Sequence, residues 1–118
     1  MNNYSDHIAI LGGGIAGLSL GCTFLKEGIP AVIFEKMPEE TSHGAAISLS
    51  SNALRLLDRL DIYNDLKKKS FLHSKASIQG PKKSICTFKT PEVLTTRRQT
   101  LISLLHSRFI NLGGDIKY

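Results

Sequence analysis

Gly12-x-Gly14-x-x-Gly17, with Glu35 eighteen residues beyond the last glycine, has the residue types and spacing to hold a dinucleotide. Each glycine answers a separate steric demand. Gly12 permits a tight turn out of a strand, and Gly14 offers a bare backbone that a diphosphate can approach. Gly17 lets the following helix lie close on the sheet. A helix starting near Ile15 aims unpaired N–H groups and the positive end of its dipole at the phosphates. A carboxylate at the end of the next strand accepts hydrogen bonds from ribose hydroxyls and repels a 2′-phosphate, so Glu35 disfavours NADP at this site. The bland alternative is a glycine-rich turn beside a surface glutamate. What favours the dinucleotide reading is order: strand, glycine turn, helix, strand and acid occur in sequence.

Those elements follow from the apolar pattern. His7 to Leu11 and Ala31 to Phe34 are short apolar runs of strand length. Between them Ile15, Leu18, Cys22 and Leu25 recur at helical spacing, and Gly28 with Pro30 stops the helix. The unit is a βαβ crossover with parallel strands. Further on, Ala45 to Leu49 reads as a brief strand, followed by a helix capped by Ser50 or Ser51 and carrying Leu54, Leu57 and Leu60. A short helix is expected from Ile62 to Lys68. Leu72 to Ile78 and Ile85 to Phe88 read as a hairpin around Gly80-Pro81-Lys82-Lys83. Pro91 separates this hairpin from an extended piece, Val93 to Thr96. A final helix shows Ile102, Leu105, Phe109 and Leu112 on one face and stops at Gly113-Gly114, ahead of an apparent strand from Asp115 to Tyr118.

A length of 118 residues allows one domain with a modest core. Its net charge of +5 includes Lys67-Lys68-Lys69, Lys82-Lys83 and Arg97-Arg98, but without the interleaved aromatics of a nucleic-acid surface. The two lysine clusters read as solvated. Cys22 and Cys86 form no disulfide framework or metal-ligand pair and read as small core residues in a reducing compartment. Ile8 to Leu25 is uncharged, yet it lacks a preceding positive charge and is broken by glycines, so a signal peptide or membrane span is not expected. A cytoplasmic protein is expected. His43 is read either as a solvent-facing loop residue or as a cofactor contact. Arg98 starts a helix whose apolar face is committed elsewhere, which leaves its guanidinium free for bidentate phosphate recognition.

Three segments together resemble the N-terminal part of FAD-dependent aromatic-ring monooxygenases, the flavoprotein hydroxylases that include para-hydroxybenzoate, salicylate and ubiquinone-biosynthesis hydroxylases. They are "IAILGGGIAGLSLGCTFLKEGIPAVIFEK", "GAAISLSSNALRLLDRLDIYNDL" and "TTRRQTLISLL". The resemblance implies a Rossmann-like α/β fold of the glutathione-reductase type, a parallel βαβ core with a β-hairpin insertion. It also implies FAD contacts from Gly12, Gly13, Gly14, Ile15, Ala16, Gly17, Glu35, Lys36, His43, Gly44, Ala45 and Arg98. Arg98 would lie near the pyrophosphate and ribityl chain. Where many relatives carry an arginine before the glycine that Gly44 matches, this sequence has His43.

The activity so implied is hydroxylation of a small organic substrate by O2, with NAD(P)H as transient reductant of the flavin. The family's later Asp-Gly and Gly-Asp motifs and its substrate-covering sheet are absent. Residues 1–118 are therefore expected to be a partial FAD-binding domain: a fragment, not catalytically complete alone, with weak or no FAD binding and no catalytic acid or base. Exposed sheet edges would invite self-association or a partner chain. The alternatives are a truncated, non-catalytic nucleotide-binding remnant and a fragment of another FAD-dependent oxidoreductase. An NAD-only dehydrogenase would leave the second and third segments unexplained.

Overall fold

The computed structural model describes residues 3–37 and 44–118. The first unit forms as the apolar pattern requires: β1 (Ile8–Leu11), α1 (Ile15–Lys26) and β2 (Ala31–Phe34). β2 lies between β1 and β6 (Asp115–Lys117) in a parallel sheet ordered β1-β2-β6. Both margins of β2 extend one residue past the regular ladder. Gly12 N–H donates to the Phe34 carbonyl at 2.8 Å, and Glu35 N–H donates to the Lys117 carbonyl at 2.7 Å.

The remaining elements are β3 (Ala46–Ser50), α2 (Ser51–Arg59), α3 (Tyr63–Lys68), β4 (Phe71–Gln79), β5 (Ser84–Arg97) and α4 (Arg98–Asn111). β3, β5 and β4 make a second, antiparallel sheet in that order. The expected four-residue turn falls between β4 and β5, closed by Gly80 N–H donating to the Lys83 carbonyl at 2.8 Å. The distal hairpin is largely exposed and extends the molecule to 64 × 28 × 20 Å.

Several expectations need correction. Pro91 does not end a strand; β5 runs through it. His73 pairs with Val93 and Lys75 with Lys89, so Ser74 alone faces residues 90–92. That bulge absorbs a residue with no N–H to give to the ladder. Ser50 is the N-cap of α2 by position, but its side chain makes no capping hydrogen bond. On α4 the buried stripe is Leu101, Leu105 and Phe109, while Ile102 and Leu112 are only half-buried. Cys86 is exposed on the hairpin instead of lying in the core.

One contiguous core joins α1, α4 and the parallel sheet to α2 and α3, with Leu18, Ile33, Leu66, Leu94 and Leu105 fully buried. Phe109 sits at 0% exposure between two glycines. A Cβ on Gly21 would lie 2.7 Å from its ring, and one on Gly114 would overlap it. A polar clamp holds the helices from outside. Asp61, at φ 62°, accepts hydrogen bonds from Lys26 Nζ at 3.0 Å and Arg108 Nη2 at 2.7 Å. Arg108 Nε also donates to the Leu60 carbonyl at 2.9 Å, tying the end of α2 to α4. Lys26, followed by Arg108, holds the Asp61 carboxyl below its ordinary pKa.

The two thiols should therefore react differently. Cys22 is buried, donates to the Leu105 carbonyl at 3.6 Å and has its pKa pushed up to about 11 by burial. At pH 8 iodoacetamide should label Cys86 in the native chain and reach Cys22 only after denaturation; mass spectrometry of the alkylated peptides checks this. The stability gained by keeping the Cys22 thiol neutral is complete below its ordinary pKa of 9.0 and is lost as pH rises through about 11.

Candidate functional site

The β1–β2 register solves the problem of bringing Glu35 to the glycine loop. Leu11 pairs with Phe34, so the next residues, Gly12 and Glu35, leave adjacent strands side by side. Gly12 turns at φ +107°, a conformation that a side chain strongly disfavours. The turn aims the Gly13 N–H at Glu35, whose Oε2 accepts it at 2.6 Å. The other carboxylate oxygen, Oε1, accepts the Met37 N–H at 2.8 Å. These two amides, Met37 first, hold the Glu35 carboxyl below its ordinary value of 4.5.

The start of α1 completes the corner. Gly14 is its N-cap, no side chain caps the helix, and its first turn contains no acid. The first intrahelical donor is Leu18 N–H, to the Gly14 carbonyl at 2.9 Å. The amide ends of Ile15, Ala16 and Gly17 thus form a positive, uncapped terminus. A Cβ on Gly14 would meet nothing within 4 Å, so open space stands over that backbone. A Cβ on Gly17 would overlap the Gly12 carbonyl oxygen and lie 3.3 Å from Ile10 Cγ2. The corner therefore exists only because α1 approaches β1 through a bare backbone. Open amides, a fixed carboxylate and a missing Cβ together fit a diphosphate linked to a ribose.

A second group forms where β5 passes into α4. Arg98 N–H donates to the Ala45 carbonyl at 3.2 Å, and a Cβ on Gly44 would lie 3.0 Å from Arg98 Cβ. Gly44, Ala45 and Arg98 are thus brought together across 53 residues of sequence. Among the described residues no hydrogen bond or ion pair links them to the glycine corner. Lys36 is exposed beside Glu35. His43 lies outside the described residues. The sequence reading missed the Met37 amide, whose only signal was an acid two residues before it in a polar loop.

The Glu35 arrangement predicts a linked titration. The Gly13 and Met37 amide resonances should move together as pH falls, with a midpoint below 4.5. The stability contributed by the ionised carboxylate is complete above 4.5 and disappears as pH drops through the folded-state value. In Glu35→Gln both resonances should lose that titration. An NMR pH series checks it.

Residues 6–106 match the family described as FAD binding domain. Monooxygenase 1 of Arabidopsis thaliana is 33% identical over 102 residues, covering 83% of this chain and 26% of its own. FAD-dependent monooxygenase pytG of Aspergillus terreus is 43% identical over 61 residues, 52% of this chain and 18% of its own. Among solved structures, the tetrameric form of 2-methyl-3-hydroxypyridine-5-carboxylic acid oxygenase has a TM-score of 0.86 at 27% identity, covering 98% of this chain and 32% of that one. The p-nitrophenol 4-monooxygenase PnpA of Pseudomonas putida shares the fold, with a TM-score of 0.85 at 17% identity over 95% of this chain and 31% of its own. The chain spans less than a third of the length of each of these proteins.

Proposed function

The chain belongs to the FAD binding domain family, and on that premise we propose that its glycine corner holds the diphosphate of FAD while Glu35 holds the adenosine ribose. The observation that carries this reading is the pairing of an uncapped α1 terminus with a carboxylate fixed by the Gly13 and Met37 amides. Because Glu35 takes the Gly13 N–H, the diphosphate is left to the amides of Ile15 and Ala16 and to the space over Gly14. Gly12 and Gly17 shape the corner without touching the ligand through side chains. Glu35 keeps lone pairs free for ribose hydroxyls after accepting its two amides. Lys36 adds an adjacent positive charge, and Arg98, set against Gly44 and Ala45, takes the pyrophosphate or ribityl side.

The activity proposed is that of a flavin-dependent monooxygenase, with NAD(P)H as reductant, O2 as co-substrate and a small organic molecule as substrate. FAD supplies the redox and oxygen chemistry when bound; this chain's residues bind and orient it. Protein isolated from its native source should carry flavin absorbance and oxidise NAD(P)H in its presence. A colourless preparation that does neither would overturn the proposal. No helix among the described residues is long and apolar enough to cross a membrane. With both cysteines free, we place the protein in the cytoplasm. Self-association or a partner chain is proposed at the edge strand β1, where Leu11 is 85% exposed and Ile8, on the opposite face, is half-exposed.

A further inference from the structure

The groups assigned to the cofactor sit on separate elements: the glycine corner at the start of α1, Gly44 and Ala45 ahead of β3, and Arg98 at the start of α4. With no direct link between the corner and Arg98 among the described residues, their spacing is set further along the two helices. α1 and α4 pack together and lead into the neighbouring parallel strands β2 and β6, so they run in the same direction. The Cys22 thiol meets the Leu105 carbonyl, and seven residues earlier on each helix stand Ile15 and Arg98, their first residues. A slide of one helix along the other therefore moves Arg98 against the corner.

That slide is held at the opposite end. Phe109 against Gly21 sets how closely the helices approach, but apolar packing is non-directional. The directional contacts converge on the end of α2. Lys26, the last residue of α1, donates to the Arg59 carbonyl and to Asp61 Oδ2 at 3.0 Å. Arg108 of α4 donates to the Leu60 carbonyl at 2.9 Å and to the same Oδ2 at 2.7 Å. The backbone at Asp61 suits a different residue. It closes α2 in a Schellman turn, with Asp61 N–H donating to the Asp58 carbonyl at 3.0 Å and Ile62 N–H to the Leu57 carbonyl at 3.1 Å. Glycine is the usual occupant of that position, yet Asp61 holds it at φ 62°, alone among the described non-glycine residues in having a positive φ. A carboxylate in a glycine conformation, shared by cations from two other helices, points to a role beyond ending α2.

We infer that Asp61 is a positioning residue of the cofactor site: by holding Lys26 and Arg108 on one carboxylate oxygen, it fixes how far α4 slides along α1 and so the separation of Arg98 from the glycine corner. α2 follows β3, which starts beside Gly44 and Ala45, so all three cofactor segments are tied to this one residue. The inference rests on the FAD reading for its ligand, while the helix register can be read without ligand.

Asp61→Gly removes the carboxylate and gives the turn its preferred residue. Exposed ion pairs add little stability, so Tm should stay within about 4 °C of the parent. In the ligand-free ¹⁵N-labelled variant the amides of residues 14–17 and 98–100 should shift, while those of the β4–β5 hairpin stay in place. FAD titrated into the variant should bind about fivefold more weakly than to the parent. Lys26→Met should act in the same direction, and the double variant should bind no more weakly than Asp61→Gly alone, because both break one linkage. The inference is overturned if both single variants keep the parent's corner amides and FAD affinity, or if affinity falls only together with a large loss of Tm. Absence of FAD binding by the parent would instead sink the FAD reading, and the ligand-free shifts would still decide whether Asp61 sets the register of α1 and α4.

Discussion

Gly17→Ala should unmake the glycine corner and destabilise the chain together. Its new methyl group would overlap the Gly12 carbonyl oxygen, a backbone atom with no rotamer to escape into. The helix must then lift off β1 or the Gly12 turn must open. Alanine gains about 1 kcal/mol of helix propensity over glycine. Forcing an extra methyl into a packed interior costs ~1–3 kcal/mol and sometimes more, and an immovable neighbour places this case at the upper end. At roughly 4 °C per kcal/mol, a net loss of about 2 kcal/mol lowers Tm by about 8 °C. FAD or ADP affinity should fall about 100-fold, since the amides that define the corner move with α1. Thermal melts with parallel ligand titrations check both parts.

Phe109→Ala should have the largest effect on stability alone. The ring is fully buried and fills the space left by Gly21 on α1 and Gly114 before β6, so it joins α4 to α1 and to the approach to β6. Losing a buried phenyl costs ~3–5 kcal/mol, a large share of the ~5–15 kcal/mol that holds a typical domain together. Gly114→Ala is the converse test: the cavity is intact but the ring has nowhere to go, and destabilisation is again expected. Urea unfolding measures both. A Phe109→Ala loss below about 1 kcal/mol would contradict the packing described.

The βαβ unit was legible because its signals are local. Glycine spacing, the helical recurrence of Leu18 and Cys22, and the β-branched run of β2 each specify their own backbone. The pairing of Glu35 with the loop was legible too, since a parallel crossover returns the second strand beside the first. What depended on register was not. Pro91 reads as a terminator until three residues of β5 are seen to bulge against Ser74. Cys86 reads as core because strand apolarity does not say whether anything covers that face, and here the hairpin extends past its neighbours. Leu101 was missed because a helix with apolar residues at 101, 102, 104, 105 and 109 supports more than one stripe; contact with α1 selects among them. The contacts of the Thr95 hydroxyl with Ser48 and His73 have no sequence signal, because these residues meet only through strand pairing.

Gly14→Ala separates ligand binding from folding, and it bears most directly on the corner as a diphosphate cradle. A methyl group there meets no protein atom within 4 Å, so stability should change by no more than ~1 kcal/mol, the scale of an N-cap replacement. The decisive measurement is a titration of FAD into the ¹⁵N-labelled parent and variant. In the parent, the amides of residues 13–17 and 35–37 should shift saturably, at the weak affinity expected of a partial domain; in the variant those shifts should vanish while the rest of the spectrum stays native. Unchanged FAD binding by Gly14→Ala, or parent shifts confined to other residues, would contradict the account.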